Sequence, residues 1–279
     1  MDQAHRSIEQ QHIINALHVT SSFDVQAEIA RRTDFLCDYL TQTGMRSYVL
    51  GISGGVDSTA AGCLAQAAVR EARKRGHEAE FIAIRLPYGI QKDEQDAQNA
   101  VQAIAPDKVL TIDIKPASDA MLAAAKAGGQ SFANPEQEDF ILGNIKARQR
   151  MIAQYAVAGA ARGLVIGTDH AAEALMGFFT KFGDGACDVA PLTGLNKRRV
   201  RALAKAFGAP DELVYKVPTA DLESLVPLKP DEAAFGISYE EIDDFLEGKQ
   251  VSDLAYDVIF SQYQATAHKR ALPLDISNI

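Results

Sequence analysis

YVLGISGGVDST, Tyr48–Thr59, is the most informative segment of the sequence. It joins an apolar run to a Ser-Gly-Gly turn, and then to an aspartate and two hydroxyl residues. A strand that ends in such a turn before a helix directs backbone amides and the positive end of the helix toward an oxyanion. The G-x-x-x-x-G-K-[ST] loop is excluded because no lysine follows the glycines, and the spacing of Gly51, Gly54 and Gly55 excludes G-x-G-x-x-G. The stretch therefore predicts a phosphate-binding turn that carries Asp57 where a lysine is common.

The side chains of the turn suggest how it could bind phosphate without that lysine. Ser53 and Ser58 offer hydroxyl donors, whereas Asp57 repels a bare phosphate and so predicts a divalent cation between the two. The alternative is a structural turn in which Asp57 or Ser58 only caps the following helix. A lone Gly-Gly-x-Asp would favour that alternative. The whole hexapeptide SGGVDS, placed after an apolar strand, favours the phosphate site.

Short apolar runs alternate with helical patterns along most of the chain. The first 45 residues read as helical, with Ser22 or Asp24 as N-cap, and a long helix is predicted at 137–161. Strands are predicted at RSYVLGI, AEFIAIRLP, KVLTIDI and GLVIGT. This alternation predicts an α/β protein with a parallel sheet between two layers of helices. Ligands of such sheets bind beyond the carboxyl ends of the strands, so SGGVDS, RLPYG and GTDHAAE should share one rim.

Composition limits the location and the partners. A net charge of −9 over 279 residues argues against a nucleic-acid partner, since binding to phosphate backbones depends on clustered Lys and Arg. The three cysteines (Cys37, Cys63 and Cys187) form no C-x-x-C pair, which fits a reducing compartment. The polar N-terminus is unlike a signal peptide, and no apolar run approaches the roughly 18 residues of a membrane span. These features predict a cytoplasmic protein without a membrane partner.

SGGVDS resembles the pyrophosphate loop of the N-type ATP pyrophosphatases, which cleave ATP to AMP and pyrophosphate while adenylating an acceptor. Several further stretches resemble the ammonia-dependent NAD synthetase family, and together they cover nearly the whole chain. They are RLPYGIQKDEQDA, GTDHAAEALMGFFTKFGDG, PLTGLNKRRVRAL, PTADLE, GISYEEIDDFLEGK and AHKR. The resemblance implies a three-layer sandwich of the adenine nucleotide alpha-hydrolase-like kind, as a single domain over 1–279. Within it, 1–45 would be N-terminal helices, 46–177 the nucleotide-binding core, and 178–279 a substrate loop, a flap and C-terminal helices.

The same resemblance implies an activity. A C–N ligase of this family converts deamido-NAD to NAD with ATP and ammonia, through an adenylated intermediate, and releases AMP and pyrophosphate. It implies Mg²⁺ and a homodimer. The family pattern leaves no room for a glutamine amidase domain, and none of the three cysteines has the surroundings of a nucleophile, so free ammonia is expected as the nitrogen donor.

The resemblance also assigns site residues. Asp57 and Lys197 would be catalytic, and Asp57 and Glu173 would hold the metal. The positions that match ATP contacts are Gly51, Ile52, Ser53, Gly54, Gly55, Val56, Asp57, Ser58, Arg85, Gln91, Thr168, Lys197 and Thr219. Those that match deamido-NAD contacts are Arg148, Lys181, Asp188, His268 and Lys269. Without the resemblance, Glu173 reads as an exposed helix carboxylate, and the basic run NKRRVRALAK reads mostly as a solvated face. We expect Asp57 and Lys197 on a surface rim, where their replacement would leave folding nearly unaffected.

Two stretches depart from the family pattern, namely GACDVAP and the C-terminal ALPLDISNI, which lacks an aromatic tail. These two departures bear only on how the substrate site closes.

Two rival functions stay open. A tRNA-modifying pyrophosphatase predicts a basic surface and, for thiolation, catalytic cysteines. A nucleotide-binding sensor would bind ATP without turnover, and it would not need a carboxylate pair and a lysine on one rim.

Overall fold

The computed structural model describes residues 3–89, 94–219, 225, 230–271, 273 and 275–276. Within them lies a four-stranded parallel sheet of order β3-β2-β1-β4. The strands are β1 (Ser47–Gly51), β2 (Glu80–Arg85), β3 (Lys108–Thr111) and β4 (Gly163–Val165). Tyr48 on the central strand pairs with Phe81 on one side and Leu164 on the other. The apolar runs thus form the interior of the molecule, as parallel strands covered on both faces do.

The helices follow the strands in the predicted order, and additional helices lie at both ends of the chain. They are α1 (Gln3–Ala16), α2 (Val25–Thr43), α3 (Val56–Lys74), α4 (Glu94–Ile104), α5 (Lys115–Ala127), α6 (Pro135–Ala160), α7 (Ala171–Met176), α8 (Lys197–Ala206), α9 (Asp211–Val214), α10 (Asp231–Phe235), α11 (Tyr239–Leu246), α12 (Asp253–Ala265) and α13 (Ala267–Arg270). None of the described helices combines the length and the apolar composition that a membrane span requires.

The side chains of the central strand divide between the two faces of the sheet. Tyr48 and Leu50 are buried in a core shared with α2, α3 and α8. Val49, between them, is buried in a second core that includes Ala158 of α6. Alternate residues of a strand point to opposite faces, so this division places the sheet between two helical layers. The predicted three-layer α/β fold is confirmed.

A third apolar cluster lies outside the two sheet layers. It combines α1 with α7, α11 and α12, and Ile13, Leu175 and Phe245 are among its buried members. The N-terminal helix is thereby joined to the C-terminal ones. Helix α8, although late in the sequence, belongs to the sheet layer through Val200 and Leu203. The division of the chain at 45 and 177 stays a prediction.

One of the two predicted caps of α2 is confirmed. Asp24 accepts the amide of Ala27 at 2.8 Å and begins the helix.

The boundaries of the strands differ from the prediction. Strands β3 and β4 are shorter than their apolar runs. Beyond β4, the amide of Ile166 still donates to Val49 O at 2.9 Å, but that of Gly167 donates to Val189 O at 2.8 Å. The backbone after β4 therefore separates from β1 and pairs with the segment at Val189.

Candidate active site

A cleft of about 470 Å³ lies at the carboxyl ends of β1, β2 and β4. The three stretches predicted to share a rim all line it, through Ser53, Arg85 and Thr168 among others. The shared rim is confirmed. Most of the predicted ATP residues face this cleft, namely Gly51, Ile52, Ser53, Gly55, Val56, Asp57, Ser58, Arg85, Thr168 and Thr219. Gln91 lies outside the described residues.

The glycine-rich turn is shaped by its backbone. Gly54 has φ +81°, and a Cβ there would lie 2.6 Å from the backbone nitrogen of Ala97 on α4, so a side chain would meet both strain and overlap. The residue that caps α3 is Gly55, with no side-chain cap among the described residues. The alternative in which Asp57 or Ser58 caps the helix is therefore wrong. The Ser58 hydroxyl lies 3.2 Å from both Ser53 Oγ and Gly55 O.

Asp57 belongs to a buried cluster of charged groups from three helices. The Lys197 Nζ atom, on α8, lies 2.8 Å from Asp57 Oδ2 and 3.5 Å from Glu173 Oε1 on α7. His170 Nε2 lies 3.3 Å from both Asp57 Oδ1 and Glu173 Oε1, and 3.1 Å from Lys197 Nζ. Lys197 is only 1% exposed. The expectation of a surface lysine is wrong, because α8 packs against α3 and buries its first turn.

The charges of the cluster alter one another's protonation. Burial alone would raise the pKa of Asp57, but the adjacent Lys197 and His170 hold it well below its usual range. Burial would lower the pKa of Lys197, and the carboxylates of Asp57 and Glu173 raise it instead. Burial likewise opposes the charge of His170, yet Glu173 and Asp57 raise the pKa of this residue to about 9. Asp57, Lys197 and His170 are therefore charged at neutral pH.

The cluster fits a divalent cation. One ligand atom each from Asp57, His170 and Glu173 lies within 4.8 Å of the others. The Oδ1 atom of Asp57 is buried and has no hydrogen-bond partner among the described residues, despite the nearby imidazole. An unpartnered carboxylate oxygen beside a second carboxylate suits a hard cation such as Mg²⁺. Both predicted metal residues are brought together here, and His170 joins them.

Residues from α10 and α11 surround the lysine, and the sequence reasoning missed them. Asp243, 1% exposed, accepts the amide of Lys197 on Oδ1 at 3.0 Å and that of Arg198 on Oδ2 at 2.7 Å. Burial raises its pKa to about 6. Asp231 accepts the Tyr239 hydroxyl at 3.1 Å, and burial raises its pKa to about 6 as well. No local motif marks these positions, since their partners are distant in sequence.

Two more carboxylates, Asp169 and Asp184, line the cleft. Burial raises the pKa of both, and the charge of Glu173 raises it further. Asp184 also accepts the amide of Thr180 at 2.9 Å. Raised carboxyl pKa values in a cleft are typical of groups that exchange protons. The signal that could have found them is their place inside the quoted run GTDHAAEALMGFFTKFGDG.

Three of the five predicted deamido-NAD residues, Arg148, Lys181 and His268, are linked by hydrogen bonds. Arg148 donates to Lys181 O at 3.2 Å, and Lys181 Nζ donates to His268 O at 2.6 Å. Lys269, next in the chain, lines the cleft and donates to Gly177 O and Phe179 O, each at 2.9 Å. Asp188 does not join them. Its Oδ2 accepts the amide of Val165 at 2.7 Å, at the end of β4.

Two predicted ATP residues, Gly54 and Lys197, are buried and are not among the described residues that line the cleft. Arg85 and Thr219, which do line it, have partners at its edge. Arg85 pairs with Glu94 at the start of α4. Thr219 forms an isolated bridge with Pro230. On the opposite side of the cleft, Gln154 Oε1 accepts the amide of Gly51 at 2.8 Å, which ties α6 to the end of β1.

Sheet order, turn and cleft define the class: an α/β nucleotide-binding protein of the N-type ATP pyrophosphatase fold. A family model described as NAD synthase matches residues 28–273. The chain belongs to the NAD synthase family.

Similar proteins agree with this membership. An NH(3)-dependent NAD(+) synthetase of Burkholderia lata is 61% identical over 273 residues, which are 98% of this chain and 97% of that protein. One of Streptomyces coelicolor is 63% identical over 265 residues, with 95% and 96% covered. A crystal structure of NAD+ synthetase from Burkholderia pseudomallei is 57% identical, with a TM-score of 0.84, and the match covers 96% of this chain and 98% of that one.

Proposed function

We propose that this chain is an ammonia-dependent NAD⁺ synthetase, which amidates deamido-NAD at the expense of ATP. Family membership and relatives of about 60% identity support the activity. The observation in the structure that carries the proposal is the buried group of Asp57, Glu173 and Lys197 beside the glycine-rich turn. A cleft that only bound a nucleotide would not need this arrangement.

The chemistry proceeds in two transfers. The nicotinate carboxylate of deamido-NAD attacks the α-phosphorus of ATP, which forms an adenylate and expels pyrophosphate. Ammonia then attacks the activated carbonyl carbon and expels AMP, leaving NAD. Neither transfer requires a covalent bond to the protein. The protein contributes position and charge: the amides of the turn, the N-terminus of α3 and the hydroxyl of Ser53 face the leaving pyrophosphate, and Lys197 neutralises it.

Asp57 and Glu173 are the residues that would hold Mg²⁺. The ion would supply further positive charge to the triphosphate, which reconciles an aspartate with a phosphate-binding turn. The Asp57 carboxylate, already ionised beside Lys197 and His170, needs no change of protonation to bind it.

Addition of ammonia releases one proton for each amide formed. Asp169 and Asp184 line the cleft with pKa values above the usual carboxyl range, and are therefore suited to receive that proton. The groups assigned to deamido-NAD are Arg148, Lys181, His268 and Lys269. Hydrogen bonds link the first three, and Lys269 lines the cleft, which supports a common role. The assignment of Asp188 to deamido-NAD has less support, because its Oδ2 already accepts the backbone amide of Val165 in β4.

A homodimer is part of the proposal. Large apolar side chains are exposed on α6 and on the loop beside Lys181, with exposures of 56% for Phe140, 52% for Ile152 and 57% for Phe182. Phe35 and Tyr39 of α2 stack at 6.4 Å and are also exposed. Surfaces of this kind are typical of interfaces. We expect twice the monomer mass at micromolar concentration, measured by light scattering; a monomeric mass contradicts this assignment.

The proposed location is the cytoplasm, supported by three free thiols, two of them buried. The activity is tested by incubating the protein with ATP, Mg²⁺, deamido-NAD and ammonium, and by measuring NAD and pyrophosphate. Both products are expected only when every component is present. Pyrophosphate that requires a tRNA would favour a tRNA-modifying enzyme. ATP binding without release of pyrophosphate would favour a sensor.

A further inference from the structure

Lys216 adds a cation to the wall of the cleft, close to the glycine-rich turn. Its Nζ atom lies 2.6 Å from Asp96 Oδ2, and Asp96 is in the first turn of α4. The backbone of α4 packs directly on the glycine-rich turn at this point, since a Cβ on Gly54 would lie 2.6 Å from the carbonyl carbon and 2.9 Å from the Cβ of Asp96. Lys216 lines the cleft together with Ser53 and Gly55, whereas Asp96 is not among the described residues that line it. The lysine side chain therefore joins α4 to the wall of the cleft beside the turn.

The backbone that carries Lys216 is anchored, but its ion pair with Asp96 is weak. Helix α9 precedes the lysine, and Leu213 and Val214 of that helix are buried in the core shared with α3 and α8. The side chains of Lys216 and Asp96 are 21% and 36% exposed. Because ion pairs with this degree of exposure contribute little to folding, the ammonium can exchange Asp96 for another anion at small cost. The flexible four-carbon stem of a lysine permits such an exchange.

A triphosphate in this cleft calls for more positive charge than Lys197 supplies. ATP with one bound Mg²⁺ keeps a net negative charge, and Lys197 is shared between Asp57 and Glu173. The cationic side chains that line the cleft are those of Arg85, Arg150, Lys216 and Lys269. Among them, Lys216 has as its carboxylate partner the residue whose backbone packs on Gly54. The turn at Gly54 is where the proposed function places the leaving pyrophosphate.

We infer that Lys216 is a phosphate-binding residue of the ATP site, and that its ammonium moves from Asp96 to the β- and γ-phosphates when ATP binds. The inference rests on the proposed function, in which the turn holds these phosphates. Asp96 is the partner of the lysine in the ligand-free protein. Neither residue forms a bond to phosphorus, and the lysine adds positive charge where pyrophosphate departs.

Substitutions on both sides of the ion pair separate phosphate binding from a structural role. Lys216→Met removes the charge and keeps the apolar part of the side chain, whereas Asp96→Asn removes the partner and leaves the lysine. Isothermal titration calorimetry of the full-length protein with Mg²⁺ measures the affinity for α,β-methylene-ATP, which cannot release pyrophosphate, and for AMP, which lacks the outer phosphates. We expect Lys216→Met to bind α,β-methylene-ATP about 10- to 100-fold more weakly than wild type, the effect of losing one hydrogen bond between charged groups, and to bind AMP within about threefold of wild type. Asp96→Asn should bind α,β-methylene-ATP at least as tightly as wild type.

The matched control is Lys205→Met, which also breaks a lysine–aspartate pair. Lys205 lies 3.5 Å from Asp211 and is not among the described residues that line the cleft. This variant should bind α,β-methylene-ATP and AMP as wild type does.

Wild-type affinity of Lys216→Met for α,β-methylene-ATP would overturn the inference. Equal losses for the analogue and for AMP would overturn it too, because they would mean that the lysine shapes the cleft as a whole. A loss in Asp96→Asn as large as that in Lys216→Met would assign the ion pair a structural role and have the same consequence. Thermal unfolding checks that each variant folds; should Lys216→Met not fold, Lys216→Gln is judged by the same criteria.

The assay for NAD separates this inference from the proposed function. If the wild-type protein makes no NAD while Lys216→Met alone loses the analogue, the proposed function fails and the lysine still binds a nucleoside triphosphate. If the wild-type protein makes NAD and Lys216→Met keeps its affinity for the analogue, only the inference fails.

Discussion

Replacing Lys197 by methionine tests whether the buried cation holds the site together. Methionine keeps the length of the side chain and its apolar packing, but it carries no charge. Lys197 is 1% exposed and bridges Asp57 and Glu173, whose side chains are 19% and 16% exposed. The substitution leaves both carboxylates buried without their lysine partner. Contrary to the expectation for a surface residue, we therefore expect a large loss of stability.

The size of the loss follows from the burial of the pair. Removing one partner of a buried ion pair costs about 3–5 kcal/mol. His170 remains beside both carboxylates, so the lower end applies, at about 3 kcal/mol of unfolding free energy. For a chain of this length the melting temperature should fall by roughly 6–12 °C. Turnover should fall by about 10²–10³-fold, the usual cost of removing one pre-organised charge.

The loss should depend on pH in a stated direction. The pKa of Asp57 is depressed in the folded protein, so this residue adds stability above its unfolded pKa and loses it as pH falls through the folded value. Without Lys197, the folded pKa of Asp57 rises. The stability gap between wild type and variant is then full at about pH 8, and it closes in acid once the variant's carboxylates are protonated.

Urea unfolding followed by circular dichroism, at about pH 8 and about pH 5, measures this gap. The matched control is Lys205→Met on the same helix, since Lys205 is 57% exposed and lies 3.5 Å from Asp211. A pair of this kind contributes about 0.5 kcal/mol or less. Wild-type unfolding free energy for Lys197→Met at pH 8 would refute the reasoning, because it would mean that the carboxylates do not depend on the buried ammonium.

Three further outcomes are expected. Asp243 has a raised pKa of about 6, so it adds stability below its unfolded pKa and loses it as pH rises through 6; Asp243→Asn should therefore gain stability relative to wild type from about pH 4 to pH 7. The pKa of Asp244 is lowered by its hydrogen bond to Lys249, so this residue adds stability above its unfolded pKa and loses it as pH falls; Asp244→Asn should lose stability relative to wild type as pH rises through about 4 and then stay level to about pH 7. Urea-unfolding free energies of the two variants that change in the same direction with pH would contradict both assignments. In thermal unfolding, Gly54→Ala should cost about 1–3 kcal/mol, whereas Gly55→Ala, whose Cβ would lie 3.4 Å from Ser53 Oγ, should cost much less. Equal losses would mean that the left-handed turn is not required. At fixed total ammonium, the initial rate of NAD formation should rise with pH until another step limits it, because only unprotonated ammonia has a lone pair. NAD made by the purified protein from glutamine alone would show another nitrogen source.

The sheet and the turn could be predicted because their information is local. The run around Val49 is apolar throughout, which is typical of a strand buried on both faces, and Gly54 and Gly55 follow it directly. The shared rim also followed from the sequence, since parallel strands present their carboxyl ends at one edge. Local pattern and topology were sufficient for these features.

The environment of the charged groups could not be predicted in the same way. Lys197 begins the stretch KRRVR, which has four basic residues in five positions, and such a stretch usually lies on a solvated face. Its burial results from the packing of α8 against α3 and from Asp243 on α11, contacts between segments that are far apart in the chain. His170 stands three positions before Glu173, a predicted metal residue, but only the folded chain shows that its ring lies close to the carboxylates of both Asp57 and Glu173.

The distant origin of the lysine has a consequence for how the site forms. In a loop of the G-x-x-x-x-G-K type, the cation is part of the turn and is present as soon as the turn folds. Here Asp57 and its lysine are separated by 140 positions, so the turn has a bare carboxylate until α8 packs onto the sheet. The start of α8 is in turn held by Asp243, which belongs to the third cluster of helices. Local opening of α8 would leave Asp57 and Glu173 buried without Lys197, which is costly. The phosphate site, the sheet layer and the C-terminal helices are therefore energetically coupled, and loss of α8 packing should abolish the site before the sheet itself unfolds.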